Sequence, residues 1–198
     1  SNDSTAEQVQ HAQKQNSTIR LISYKENRGK GYAVKTGMSH AKGEFALFMD
    51  ADNATPISEI EKLWPYIDTH EVIIGSRHLK DSNIVLKQPW YRVAISRLGN
   101  AVIRSLLVYG IKDTQCGFKL FSRDAYTNLF ALQKIERWGF DMELLCIAQR
   151  VFDYQIKEIP VSWYNREESR LRPLRDAGKT LKELMKIKYN LMTNKYIK

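Results

Sequence analysis

The chain is poor in cysteine, in long apolar runs and in acidic residues relative to basic ones, and each shortage excludes something. Its two cysteines, Cys116 and Cys146, show neither C-x-x-C spacing nor a neighbouring pair of histidines. That argues against a disulfide framework or a zinc site and suits a reducing compartment. The longest stretch without a charged residue, Ala125 to Gln133, falls far short of the ~20 apolar residues needed to span a bilayer as a helix. No basic segment followed by an apolar run opens the chain, so no secretory signal is read there. What remains is ordinary globular composition, with 43% apolar and 27% charged residues in a 198-residue chain, the size of a single domain.

The acidic shortage is pronounced: 31 Lys and Arg stand against 22 Asp and Glu, a formal charge of +9. An excess of this size points to an anionic partner. The segment from Lys157 to Lys198 carries 11 basic and 5 acidic residues, making the C-terminal fifth the basic pole. Trp64, Trp90, Trp138 and Trp163 are not interleaved with basic residues in any RNA-binding pattern, so nucleic acid is not the expected partner.

Along the chain, Ser4 and Glu7 have capping-box spacing and predict an early helix. Ile19, Leu21 and Ile22 predict a strand over 18–23, followed by a helix carrying Ala33, Val34, Met38 and Ala41. Phe45 to Met49 and Glu71 to Gly75 read as buried strands, with a helix capped by Ser58 and Glu61 between them. Beyond these, the pattern predicts a long amphipathic helix around 90–107, a strand near 118–121, a helix over 141–151, a strand over 156–163, a charged loop over 165–175 and a last amphipathic helix. Apolar strands alternating with helices define an α/β chain, a mainly parallel sheet flanked by helices.

Three features could carry chemistry. Asp50-Ala51-Asp52 follows an apolar strand directly, where ligands of open α/β sheets collect; the two carboxylates could share a hard divalent cation or could simply form the turn. Asn27-Arg28-Gly29-Lys30-Gly31 is a basic, glycine-bearing loop before a helix, suited to a phosphate or no more than a turn. Arg92, Ser96 and Asn100 share a helical face that could line an anion pocket with Arg77.

Taken together, 27–31, Asp50-Ala51-Asp52, Gly75-Ser76-Arg77, the run Asp113 to Phe121, the run Glu136 to Leu145 and Ser169-Arg170-Leu171 resemble the inverting family 2 glycosyltransferases. Within that family the likeness is to the dolichyl-phosphate β-glucosyltransferases and other polyprenyl-phosphate enzymes. It runs in order from Ser1 to about Leu191. The resemblance implies a GT-A fold in which Asp50 and Asp52 hold Mg²⁺ or Mn²⁺ on the diphosphate of a nucleotide-sugar donor. Asn27, Arg28, Gly29, Lys30, Arg166 and Arg170 are implied on the donor side. Arg77, Arg92 and Ser96 are implied at the acceptor phosphate, and Asp141 and Glu143 at the sugar and the reacting centre. Glu168 stands where the family often has a glycine.

The family's domain begins with nucleobase-binding strands that have no counterpart here, so the chain is expected to be part of a longer protein. The implied activity is transfer of a sugar, glucose from UDP-glucose, to a polyprenyl or dolichyl phosphate. Another donor, a hydroxyl acceptor or an inactive anion-binding fragment are the alternatives. Leu181, Leu184, Met185, Leu191 and Met192, flanked by lysines, are expected to lie against a membrane surface, placing the protein peripherally on a cytoplasmic membrane face.

Overall fold

Strand β1 (Phe45–Met49) forms where the sequence reads Phe-Ala-Leu-Phe-Met, and β2 (Val72–Ser76) is buried throughout. These strands belong to a computed structural model that describes residues 4–85, 99, 101–164 and 173–197; Arg92, Ser96, Arg166 and Arg170 lie outside the described residues. A short strand β3 (Asn83–Ile84) follows, then β4 (Phe118–Ser122), β5 (Ile156–Pro160) and β6 (Ser162–Trp163). The helices are α1 (Thr5–Gln15), α2 (Lys30–Met38), α3 (Arg123–Leu132), α4 (Phe140–Arg150) and α5 (Pro173–Met192), together with a helical stretch over 101–106.

The main sheet has the order β1-β4-β2-β5. Strand β2 runs parallel to β5, with Val72 opposite Ile156, whereas β4 is antiparallel to both β1 and β2. Thus β1, β2 and β5 share one direction, as expected of a mainly parallel sheet, with one reversed strand inserted between β1 and β2. Successive side chains point to opposite faces. Phe48, Val72, Ile74 and Phe121 pack on one face with α3, α4 and, from α5, Leu184 and Ile187. On the other face Ile73, Phe118, Leu120 and Ile159 pack with Leu63.

Several expectations are corrected. The strand expected over 18–23 does not form; Ile22 is exposed there, and α1 buries no residue. A strand needs a neighbour to satisfy its backbone, and none of the described strands lies alongside. Ser4 sits at the start of α1, but its hydroxyl meets the Gln8 side chain rather than a first-turn amide. The helix expected after Ser58 is two 3-10 turns, Ile57–Lys62 and Trp64–Tyr66, separated at Leu63, with Pro65 inside the second. The strand expected over 156–163 splits: after Pro160, Val161 donates to the Ser76 carbonyl and accepts from Asn83, passing the chain into the small β3–β6 sheet.

All of this gathers one edge of the sheet. Strands β1 and β2 end just before Asp50 and Arg77, and the reversed β4 begins there after Gly117. The carboxyl ends of the strands and the 113–117 loop therefore meet at one place.

Candidate functional site

The Asp50 amide donates to the Gly117 carbonyl (2.9 Å), fixing the strand end. Its Oδ1 lies 2.6 Å from Lys30 Nζ, a pair that is partly exposed. Gly117 is required for this placement, since a Cβ there would stand 2.0 Å from Asp50 Oδ2. Asp52 Oδ1 accepts the Ala54 amide (3.0 Å), and Asn53 takes a left-handed φ of 52°. Turn formation by the carboxylate pair is thus realised at Asp52, while Asp50 points its charge toward Lys30. Among the described residues no cluster of three or more His, Cys, Asp or Glu could hold a metal. Two carboxylates fit a hard divalent ion only as part of a set completed by phosphate oxygens and water, the usual arrangement for Mg²⁺.

Lys30 opens α2 and its ammonium stands 5.2 Å from the Phe48 ring centroid and 5.3 Å from that of Trp138. The rest of the basic loop turns toward its own chain. Asn27 Oδ1 accepts the Gly29 amide, Arg28 pairs with Glu136 and lies 3.8 Å over the Tyr32 ring, and the Tyr32 amide donates to the Glu136 carbonyl. Gly29 adopts φ 107°, open to glycine at little cost, and a Cβ there would stand 2.7 Å from the Glu136 carbonyl oxygen. At Gly31 a Cβ would stand 2.7 Å from the Phe140 side chain. The glycines are therefore explained by close packing on residues 135–140, and it is Lys30 that the loop presents to Asp50.

Asp141, in the first turn of α4, is buried and pairs with the equally buried Lys119 (2.6 Å) from β4, which also donates to the Cys116 carbonyl. Burial pushes the Asp141 carboxyl above its ordinary range, against the pull of Lys119 and then of Lys30. Lys119 was not singled out from the sequence, although a lysine inside the buried strand Phe-Lys-Leu-Phe demands a partner.

Arg77 donates Nε and Nη2 to the two oxygens of Asp113 (2.7 and 2.9 Å), and its amide donates to the same carboxylate. Its guanidinium lies 5.6 Å from the Trp163 ring. Burial alone would raise the Asp113 carboxyl, but the charge and hydrogen bonds of Arg77 hold it well below the usual carboxylate range. The Asp113 and Lys112 amides in turn donate to Glu158. One edge of the guanidinium is thus committed, which fixes the direction in which its other edge can meet an anion.

Glu143 departs from expectation. Two residues after Asp141 on the helix, it cannot share its face; it is fully buried, accepts the Lys134 and Ile135 amides (3.0 and 2.7 Å) and takes a hydrogen bond from the Tyr196 hydroxyl (2.6 Å). Its carboxylate supports the backbone of 134–135 instead of bordering the reacting centre. Of the expected site residues, the structure brings Lys30, Asp50, Asp52, Asp141 and Arg77 to one edge of the sheet and turns Asn27, Arg28 and Glu143 elsewhere.

This fold is the GT-A fold, and the chain belongs to Glycosyl transferase family 2, whose pattern matches residues 1–130. Among characterised relatives, the dolichyl-phosphate beta-glucosyltransferase of Dictyostelium discoideum is 38% identical over 200 residues, covering 97% of this chain and 61% of that protein. Those of Saccharomyces cerevisiae and Homo sapiens are 37% and 36% identical, covering 86% and 88% of this chain and 54% and 56% of theirs. The chain thus spans little more than half the length of these relatives. Among solved structures, glucosyl-3-phosphoglycerate synthase from Mycobacterium tuberculosis in complex with Mn²⁺, UDP and phosphoglyceric acid shares the fold. Its TM-score is 0.61 at 15% identity, covering 100% of this chain and 65% of that one. The same enzyme with Mn²⁺, UDP-glucose and glycerol 3-phosphate gives 0.59 at 16% identity over 94% of this chain and 64% of that one.

Proposed function

We propose that the protein transfers a sugar, glucose from UDP-glucose, onto dolichyl or another polyprenyl phosphate, inverting the anomeric carbon. The observation that carries this reading is the meeting of Asp50–Lys30, Asp141–Lys119 and Arg77–Asp113 at one sheet edge. Likeness to the named dolichyl-phosphate beta-glucosyltransferases supports the choice of substrates.

A phosphate acceptor is already ionised at neutral pH and needs little help from a general base. The difficulty is repulsion: two like charges ~4 Å apart repel by about 4 kcal/mol at an effective dielectric constant of 20. Lys30 offsets charge on the donor side. Arg77, oriented by Asp113, offsets it on the acceptor side. Asp141, locked by Lys119, borders the sugar. Asp50 and Asp52 would hold Mg²⁺ or Mn²⁺, which when bound neutralises the donor diphosphate and steadies it as a leaving group. In-line attack on the face opposite the diphosphate inverts the configuration.

Incubating the full-length protein with labelled UDP-glucose and Mn²⁺, in parallel with dolichyl phosphate and with dolichol, tests the acceptor. Label should enter lipid only with the phosphate. Transfer to dolichol assigns a hydroxyl acceptor instead, and transfer to neither contradicts the activity.

The acceptor's lipid tail bears on α5. Leu184 and Ile187 are buried against the core and Leu191 partly so, whereas Leu181, Met185, Tyr189 and Met192 form a separate exposed stripe at spacings of four, four and three. The apolar face expected from sequence is therefore two faces, one used by the fold and one outward, with Lys182 and Lys186 exposed beside the outward one. An apolar stripe flanked by lysines suits the interface of an anionic membrane, and the reading places the protein peripherally on a cytoplasmic membrane face. No helix among the described residues is long and apolar enough to cross a membrane.

A further inference from the structure

The Asn27–Gly29 segment has no regular structure of its own, and what holds it and the start of α2 is residues 133–139, themselves irregular. Gln133 Nε2 donates to the Gly31 carbonyl (2.9 Å), the Glu136 carbonyl accepts the Tyr32 amide (2.9 Å), and Lys35 Nζ donates to the Gln133 carbonyl (2.7 Å). Amides in such a segment lack ladder partners and must find others. Glu143 takes those of Lys134 and Ile135, and Glu183 of α5 takes that of Gly139 (2.8 Å). A Cβ on Gly139 would stand 2.8 Å from Glu183 Oε2 and 2.9 Å from Glu183 Cβ, so this contact closes only against glycine. Beyond α5 the chain returns Tyr196 to the core, where its hydroxyl donates to Glu143 Oε1 and accepts from Asn190 Nδ2 (3.2 Å).

Apolar packing of α5 through Leu184 and Ile187 requires none of this. Buried polar groups destabilise a core unless every member is satisfied, and here Asn190, Tyr196 and Glu143 are satisfied in a line that ends on the backbone supporting Lys30. We propose that Glu143, Glu183 and Tyr196 are positioning residues for the donor loop: the C-terminal helix and the residues just after it brace 134–139, which set Lys30 against Asp50. This rests on the reading of Lys30 and Asp50 as the donor side.

Tyr196→Phe removes the hydroxyl that donates to Glu143 and accepts from Asn190, and Glu183→Met removes the acceptor of the Gly139 amide; Glu183, only partly buried, tolerates substitution if the Tyr196 variant fails to fold. In the full-length protein, amide hydrogen exchange should accelerate about three- to tenfold within 29–32 as well as within 134–139, the range for modulation within one contact network. The Kd for UDP-glucose with Mn²⁺, measured by calorimetry, should rise by a similar factor. In a Lys30→Met background the same substitutions should leave Kd unchanged. A purely structural role would weaken binding equally in both backgrounds, and that result, or exchange unchanged over 29–32, overturns the proposal. If the wild-type protein does not bind UDP-glucose, the donor reading fails, and the exchange measurement alone decides the brace.

Discussion

Replacing Gly117 by alanine tests the site through one methyl group. The added Cβ would stand 2.0 Å from Asp50 Oδ2, 2.3 Å from Cγ and 2.6 Å from Oδ1, so no rotation of the carboxylate about its own axis relieves the clash. Ordinary contact begins near 3.4 Å, and the carboxylate must retreat by about 1.4 Å, breaking its pair with Lys30. Gly117 is not among the residues with positive φ, so alanine is backbone-compatible and gains ~0.4–1 kcal/mol from the unfolded state. Loss of a partly exposed ion pair costs about 0–1 kcal/mol. The two terms nearly cancel and the melting temperature should barely move. Misplacing a catalytic group by ~1 Å can cost about 10²-fold in rate, so kcat/KM for sugar transfer should fall by about two orders of magnitude. Gly37→Ala is the control, since nothing lies within 4 Å of its Cβ position; it should keep full activity and gain at most ~0.5–1 kcal/mol, the mid-helix value, because Gly37 lies in the last turn of α2. A Gly117→Ala enzyme that folds normally and retains wild-type kcat/KM would refute the placement of Asp50 at the reacting site.

Asp52→Asn should abolish Mg²⁺- or Mn²⁺-dependent transfer while the circular dichroism spectrum is unchanged; activity that persists in the variant, or in the wild-type enzyme with excess chelator, contradicts a metal on the carboxylate pair. Because Asp113 is held below its unfolded pKa of about 3.9 by Arg77 although burial opposes this, its stabilising contribution is complete above that value and is lost as pH falls toward the folded pKa. Arg77→Met removes the lowering partner, so an acid titration followed by circular dichroism should show unfolding at higher pH than in the wild type, and an unchanged midpoint would count against the pair. Leu181→Ser with Met185→Ser should reduce sedimentation with phosphatidylserine vesicles at low salt without lowering the melting temperature, and undiminished sedimentation would remove α5 as the attachment surface.

What could be read in advance follows from where the residues declare themselves locally. Phe45–Met49 matched its expected strand because an uninterrupted apolar run ending in Asp leaves no other reading, and that same run placed Asp50 at a strand end. Helix α4 was legible from its apolar content within one residue at either end. Helix α3 is not among the elements expected from sequence, although Ser122 caps it by accepting the Ala125 amide and Ala125, Tyr126, Leu129 and Phe130 recur on one face. The reversal of β4 could not be read, because strand direction depends on the path of the chain through the preceding residues, and Phe118–Ser122 has the same apolar character either way. The role of Glu143 was hidden because its partners, Lys134, Ile135 and Tyr196, come from remote or irregular segments. Gly117 likewise owes its necessity to the nearness of Asp50 across two antiparallel strand ends, a contact with no sequence signature.

The central claim is that two phosphate sites of opposite assignment face each other across this sheet edge, the donor diphosphate on the Lys30–Asp50 side and the acceptor phosphate on the Arg77 side. Its most direct test is to measure KM for UDP-glucose and for dolichyl phosphate separately in full-length Lys30→Met and Arg77→Lys. Arg77→Lys keeps the charge but loses the two-pronged hold on Asp113, so it should raise KM for dolichyl phosphate by about tenfold and leave that for UDP-glucose unchanged, and Lys30→Met should do the reverse. Both substitutions raising KM for the same substrate would contradict the assignment.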